Sequence, residues 1–467
     1  MTYKKISLKN YLKDTFPKIG NKSPDDKKQS YLSQMGIIVD KKGYHLECNQ
    51  FSRFFLSCTD VVALSNGELY IYNQVKGCYE IDEKGIFQKL IKYMLNRTED
   101  IWTPFKERLA MESIKRDIIT VVDNLNDNNY LNLQNGLFSL SDYTLYPHSK
   151  DVFSVTQIPI EYTTTQPTPV FDKFIDDITM GDEELKWVLQ EVSGYILSND
   201  ISAEKAIFLI GGGANGKSTY ARILEQLAGS ENTSHTPLSA FGTNFGLASM
   251  VGCSLNLAAE NNATRINSEI FKAVVSGDVI EVNRKYKPAL NISLSTKLVC
   301  LFNELPDCID ASYGYFRRLL IIPFNNTFKG DEIDVNLSEK LKAELSGILN
   351  WSLAGLKRLR ANDYKFTDSK LCNQVLAEYK DSINPVACFF ESVFVVNEDM
   401  QIRRSDIFKI YEDFCKANAY EVLQIQKFWR MLKQYFSNKE YDFRIKKVKG
   451  VEYIQGFALK DNEGGEQ

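Results

Sequence analysis

"AIFLIGGGANGKSTYARILEQL", Ala206 to Leu227, is the stretch on which the fold turns. Five apolar residues are followed by a glycine-rich turn, and apolar residues then recur at helical spacing, so the segment reads as strand, loop and helix. Two phosphate-binding fingerprints fit the loop. Gly211, Gly213 and Gly216 satisfy G-x-G-x-x-G, whereas Gly211, Gly216, Lys217 and Ser218 satisfy G-x-x-x-x-G-K-[ST]. A dinucleotide site needs an acid about 20 positions on, at the end of the next strand. Glu231 has that spacing, but its surroundings, "GSENTSHTPLS", have the composition of a loop. The second fingerprint has the context it requires, so Gly211, Gly212, Gly213, Ala214, Asn215, Gly216, Lys217, Ser218 and Thr219 are read as a P-loop. Backbone N–H groups of 212–217 would cradle phosphates at the start of the helix. Lys217 would reach the β- and γ-phosphates and Ser218 would hold Mg²⁺, so the expected ligands are ATP and Mg²⁺.

Outward from this unit, short apolar runs alternate with helical patterns: "AIFLI", "SLNLAA", "KLVCLF" and "RLLIIPF". That alternation predicts an α/β domain with a largely parallel sheet. Hydrolysis needs more than phosphate binding, and the ends of these runs supply candidates. The second run ends in Glu260, expected to activate water and to contact the metal. The third ends in Asn303, a polar amide that can orient the attacking water, although asparagine also favours turns. Arg317 and Arg318 open the fourth run; a guanidinium there can stabilise charge on the γ-phosphoryl from a neighbouring subunit, and Arg318 is the better candidate. A solvated Glu260 and a surface salt bridge at one arginine are the plainer alternatives.

The bulk composition sets limits. A chain of 467 residues has room for about three domains. A net charge of −4 excludes a uniformly basic nucleic-acid coat, but charge is uneven: residues 402–460 hold thirteen Lys or Arg against seven acids, so a local basic patch is expected. Nine Cys without a C-x-x-C pair, beside three His, argue against a zinc site and a disulfide framework. The start has no apolar h-region and no apolar run approaches 18 residues, so a cytoplasmic protein with no membrane partner is expected.

The series "GGGANGKST", "LNLAAE", "VSGDVIEVNRKYK", "KLVCLFNELPD" and "YFRRLLIIPF" resembles superfamily 3 helicases. It is most similar to the branch of poxvirus and satellite-phage primase-helicases, which includes replication proteins of phages, plasmids and bacterial chromosomal islands. The resemblance spans roughly residues 100–450 and implies an AAA+-type ring, usually a hexamer, with ATP between subunits. It also implies a pore hairpin that grips single-stranded DNA, matched here by Arg284, Lys285, Tyr286 and Lys287 of "NRKYKPAL". Cations would follow the phosphates and a ring would stack or wedge, a solvated basic turn being the plainer alternative. Many members carry two adjacent acids at the second motif. Here Ala259 and Asn261 flank Glu260, so a single acid serves both metal and water, or Asp278 of "SGD" assists.

At the C-terminal end, "RRSDIFKIYEDFCKANAY", "QIQKFWRMLKQYF" and "FRIKKVKGVEYIQGFAL" read as helix, helix and basic β-wing, the outline of a winged helix. Lys427, Arg430 and Lys433 share one helical face, and Arg444, Lys446, Lys447 and Lys449 crowd the wing, so origin duplex DNA is the expected partner, a solvated basic face being the alternative. The predicted class is α/β: an AAA+-type P-loop ATPase core (201–365), an α+β N-terminal region of unclear role (1–95), a helicase-preceding domain with collar-like helices (96–200) and a winged-helix-like domain (366–467). The function this predicts is an ATP-driven ring-forming DNA helicase that initiates replication of a mobile genetic element. The alternatives are a DNA-stimulated ATPase that melts an origin without processive unwinding, and a P-loop enzyme such as a small-molecule kinase.

Overall fold

The computed structural model describes residues 32–460, apart from 66, 83–84, 98–99, 123–125, 261–266, 286, 307–312, 331–333, 384, 418–419, 421, 439–440 and 442–443. The first strands among the described residues form the hairpin β1 (Ile37–Asp40) and β2 (Gly43–Leu46), followed by α1 (Cys48–Cys58). Next come β3 (Val61–Leu64), β4 (Leu69–Asn73) and β5 (Cys78–Ile81), then α2 (Ile86–Leu95), α3 (Pro104–Asp117) and β6 (Val121–Val122). The sheet order is β5-β4-β3-β6, with β6 parallel to β3 and the other pairs antiparallel. Gly67 and Gly77, both at positive φ, turn the chain where the alternating sequence pattern predicts turns. Phe51, Phe55, Phe87 and Ile91 are wholly buried behind this sheet.

Strands β7 (Tyr130–Leu133), β8 (Gly136–Ser139) and β9 (Leu145–Tyr146) form a small antiparallel sheet. Leu133 pairs with Gly136, so the turn is Gln134-Asn135, although the Asn135-Gly136 dipeptide by itself reads as a turn one residue later. Helices α4 (Pro169–Thr179) and α5 (Glu183–Tyr195) follow, with Asp182 capping α5 through Leu185 N at 2.8 Å.

The central unit runs β10 (Ala206–Ile210), α6 (Lys217–Ala228), β11 (Thr233–Ser234), β12 (Leu255–Glu260), α7 (Ser268–Ser276), then the hairpin β13 (Val279–Arg284) and β14 (Lys287–Ser293). It continues with β15 (Lys297–Phe302), α8 (Tyr313–Phe316), β16 (Leu319–Pro323), α9 (Leu337–Ala343), α10 (Leu345–Ala361) and α11 (Lys370–Ile383). Five strands pair in the order β11-β12-β15-β10-β16, all parallel, so the predicted parallel sheet is present. Ala206, Ile207, Phe208 and Leu209 are fully buried, as a central strand covered on both faces must be. Neighbours of β10 come from much later in the chain on both sides, and the crevice at the carboxyl ends of such strands is where α/β sheets hold ligands.

One core crosses residue 200. Phe171, Ile175, Val188 and Val192 pack in the same cluster as Leu209, Leu224, Leu349 and Leu356. Helices α5 and α10 cross so closely that a Cβ on Gly194 would collide with Ser352 O, and one on Gly355 with Gln190 O. The stretch 160–170, "IEYTTTQPTPV", reads from its Thr and Pro content as a linker, yet it is tied down along α10: Ser346 Oγ donates to Glu161 O and Asn350 Nδ2 to Thr163 O, each at 2.8 Å. Glu344 accepts from Val170 N (3.1 Å) and Phe171 N (2.8 Å), which satisfies the first turn of α4. At the foot of β15, the Lys297 side chain is buried, and its Nζ donates to Ser198 O (2.6 Å) and Ser295 O (2.9 Å).

The sheet core extends as far as Tyr379, whose hydroxyl donates to Pro306 O at 2.7 Å. A separate core begins at Val386, later than the boundary of 366 expected from composition. It holds α12 (Pro385–Val393), β17 (Phe394–Arg403), α13 (Arg404–Ala417), α14 (Ile425–Asn438), β18 (Arg444–Val448) and β19 (Val451–Leu459), with sheet order β17-β19-β18. The sequence pattern does not signal strand β17. Its ten residues pair with β19 and make the expected two-stranded wing a three-stranded sheet.

Candidate nucleotide and nucleic-acid sites

The loop 211–216 joins β10 to α6 at the carboxyl end of the sheet. Gly213 (φ 108°), Ala214 (φ 48°) and Gly216 (φ 83°) all have positive φ, a conformation that favours glycine. Gly211 N donates to Phe302 O (3.2 Å), and Asn215 Nδ2 reaches Phe324 O (3.3 Å), which ties the loop to both neighbouring strands. Packing explains two of the glycines: a Cβ on Gly211 would collide with Asn215, and one on Gly216 would meet Ile178 Cγ2 at 2.6 Å. Gly212 and Gly213 face open space, with nothing within 4 Å of where a Cβ would stand. The protein's own packing does not require a glycine at 212, and the backbone there is open to approach from outside. The loop therefore fits a phosphate group.

Lys217, the first residue of α6, is 6% exposed. Its Nζ donates to Gly211 O (2.8 Å), to Phe302 O and to Asn303 Oδ1 (3.1 Å). Burial pushes its pKa down. Ser218 is exposed and Thr219 half-buried at the same helix start. Asn303 therefore stands at the loop, as the end of its strand predicts. Glu260 is the last residue of β12 and lies in register with Phe302, level with the backbone that receives Lys217. Its side chain and residues 261–266 lie outside the described residues. Asp278, the expected auxiliary acid, lies between α7 and β13, with its charge near Arg318. Among the described residues, no group of three His, Cys, Asp or Glu could hold a metal ion.

Arg317 and Arg318 precede β16 at the opposite end of the sheet. Ala206 N donates to Arg318 O at 2.7 Å, so the pair sits at the start of β10 and the loop at its end. Five strand residues separate them, roughly 17 Å at about 3.3 Å per residue. The two arginines differ in freedom. Arg318 Nε donates to Ser276 Oγ (2.8 Å) and Nη1 to Gly314 O (2.6 Å), with the side chain 12% exposed. Arg317 is 39% exposed and pairs with Glu204 at 2.6 Å. Arg318, the better catalytic candidate on sequence, is thus the more tethered of the two, and Arg317 turns outward as the strand begins. Glu204, not singled out in the sequence, holds positive φ (43°) beside both.

The basic hairpin has Arg284 opposite Lys287 at its tip. Lys285 is exposed; Tyr286 lies outside the described residues, and only the backbone of Lys287 is described. Arg284 does not project freely: Nη1 pairs with Glu68 Oε1 of the turn before β4, and the two side chains are 16% and 17% exposed. Nothing in the local sequence signals a partner 216 positions away.

In the C-terminal core, Phe428, Leu432, Tyr435 and Phe436 face inward from α14, leaving Lys427, Arg430 and Lys433 exposed together. All five residues of β18 are exposed. Side chains alternate along a strand, so Arg444 and Lys446 project from one face and Lys447 from the other, with Lys449 in the turn. Arg404 lies over the Trp429 ring at 4.6 Å and pairs with Glu452 at 2.5 Å, locking α13, α14 and β19 together. No described helix is long and apolar enough to cross a membrane.

Three family profiles match successive segments: D5 N terminal like over residues 57–180, a family of unknown function (DUF5906) over 209–318, and poxvirus D5 protein-like over 382–464. Protein 184R of Invertebrate iridescent virus 6, whose name proposes a helicase, is 23% identical over 420 residues, covering 76% of this chain and 42% of its own length. The mimivirus protein L207/L206 of Acanthamoeba polyphaga mimivirus, also named as a helicase, is 25% identical over 330 residues, 63% of this chain and 34% of its own length. The chain thus spans about two fifths or less of these relatives. A mitochondrial protein of Marchantia polymorpha, ymf21, is 26% identical over 154 residues, 32% of this chain and 81% of its own. The apo C-terminal region of NrS-1 superposes with TM-score 0.49 at 11% identity, covering 88% of this chain and all of that one. D5-type segments matched on both sides of the parallel sheet and helicase-named viral relatives spanning it support a D5-type superfamily 3 primase-helicase family for this chain.

Proposed function

We propose that the chain is an ATP-driven DNA helicase that works as a ring and initiates replication of a mobile genetic element. The observation that carries this reading is the placement of Lys217 and Asn303 at one end of the sheet and the arginine pair at the other. The loop 211–216, Lys217 and Ser218 would hold the triphosphate, with Mg²⁺ at Ser218 and Glu260. Mg²⁺, when bound, neutralises phosphate charge and orients the β- and γ-oxygens.

The chain's own groups do the rest. Lys217 exchanges its carbonyl acceptors for phosphate oxygens; this frees Asn303 Oδ1 to orient water, and Glu260 accepts the water's proton. An arginine side chain of about 7 Å cannot span the roughly 17 Å to its own loop. Any γ-phosphate it serves belongs to another copy, which favours a ring, and Arg317 is the freer of the two. The 284–287 hairpin would draw single-stranded DNA through the pore. The basic face of α14 and the winged β18–β19 element would bind origin duplex, positioning through phosphates.

The decisive experiment is unwinding of labelled forks with a 3′ or a 5′ tail by wild type and Lys217→Ala. Unwinding lost in the variant supports the motor. ATP hydrolysis without strand separation on any duplex length leaves an origin-melting ATPase. Activity that neither dilution nor DNA alters returns the chain to a kinase-like P-loop enzyme.

A further inference from the structure

One buried ion pair joins the N-terminal sheet to the basic hairpin. Glu68 lies in the turn between β3 and β4, which is held by Leu64 N donating to Glu68 O and Gly67 N to Leu64 O, each at 2.8 Å. Its carboxylate meets Arg284, the last residue of β13, just past a register shift between Val282 and Arg284. Both side chains are more than four-fifths buried, so solvent screens the pair weakly. The guanidinium is incompletely satisfied: its Nε is buried and finds no hydrogen-bond partner among the described residues. The contact uses one oxygen and leaves Nε idle, so an anion that engages Nε as well as an Nη would fit the fork better than the carboxylate does in this position. A phosphodiester is such an anion.

We propose that Glu68 is a built-in stand-in for the DNA phosphate, and that the turn between β3 and β4 is a latch which holds the hairpin arginine until a strand displaces it. This rests on the reading of the hairpin as the DNA-gripping element. In the latched state Lys285 remains exposed at the tip while the charge of Arg284 is cancelled. Incidental contact with nucleic acid therefore meets a weaker cationic surface. A strand threaded past the hairpin competes with one carboxylate, takes both arms of the fork and detaches the N-terminal sheet from the motor. Coupling of this kind needs only an element with two alternative partners.

The test uses the full chain and labelled oligo-dT, with anisotropy read at several salt concentrations. Glu68→Gln removes the charge and keeps the shape. Its expected affinity is roughly five-fold tighter than wild type, with a log–log salt slope steeper by about 0.7 for one further phosphate neutralised. Arg284→Ala is expected to weaken binding, and Glu68→Gln with Arg284→Ala to show no gain over Arg284→Ala alone. Melting curves of each variant show whether the fold is kept. If Glu68→Gln binds as wild type does while Arg284→Ala weakens binding, the latch is overturned and the hairpin reading survives. If Glu68→Gln binds more weakly, Glu68 only braces the hairpin and the latch is again overturned. If neither variant changes affinity, the hairpin reading itself fails and the latch with it.

Discussion

Arg317→Ala and Lys217→Ala, mixed, test the ring directly. Each alone removes one half of a composite site: the first lacks the arginine offered to a neighbour, the second the lysine that holds its own triphosphate. Loss of an arginine supplied in trans lowers turnover by about 10³-fold or more. The two positions lie at opposite ends of β10, roughly 17 Å apart, beyond the reach of one side chain. In an equimolar mixture assembled at random, a working interface needs an intact loop on one subunit and an intact arginine on the next. That combination has a probability of about one quarter, so the mixture recovers about a quarter of wild-type ATPase if sites act independently. The assay is steady-state phosphate release after co-refolding or long co-incubation above the assembly concentration. A mixture no more active than its components refutes the argument, because an arginine acting within its own chain cannot be restored by a second copy. Recovery with Arg318→Ala but not with Arg317→Ala would instead assign the role to the buried member of the pair.

Two further outcomes are expected. Burial pushes Lys297 down to about 7. Its folded pKa then lies below the unfolded value near 10.4, so the unfolded chain binds the extra proton between those limits. Stability of the central core should therefore rise with pH from about 7 to 10, by up to about 1.4 kcal/mol per pH unit, with the penalty at its full size below 7. The thermal midpoint of Lys297→Met should lose this dependence while carrying a pH-independent loss of two donors; an unchanged pH profile in the variant would rule out Lys297 as its source. At the other end, replacing Lys427, Arg430 and Lys433 by Ala should reduce the salt slope of duplex binding by about 0.9 for each phosphate that is no longer neutralised. A slope equal to wild type would mean that the face is merely solvated.

Local features were legible in the sequence. The loop, its strand and its helix follow from residues within a dozen positions of one another. The ends of β12 and β15 follow from apolar runs that stop at a polar residue. Non-local features were not. Arg284 meets Glu68 across 216 positions, and neither residue's neighbours differ from those of an ordinary turn. The availability of Arg317 and Arg318 depends on which one Ser276 and Gly314 engage, a matter of strand orientation. The stretch 160–170 reads as a linker because Thr and Pro dominate it, yet polar side chains of α10 satisfy its carbonyls. Strand β17 was hidden by "VVNEDMQIRR", whose central acids interrupt alternation where its register with β19 shifts.

The core that crosses residue 200 decides how this protein can be cut. A fragment beginning at Ile201 would strip the faces of Leu349 and Leu356 of the α4–α5 side chains that cover them, and leave Gly355 facing a missing backbone. Bare apolar surface on that scale drives self-association. It would also remove Val170 and Phe171, the donors to the Glu344 carboxylate. The smallest piece able to keep its nucleotide loop in shape must start ahead of Pro169. Aggregation of a shorter fragment would then report on where the knife fell, with no bearing on whether the motor turns.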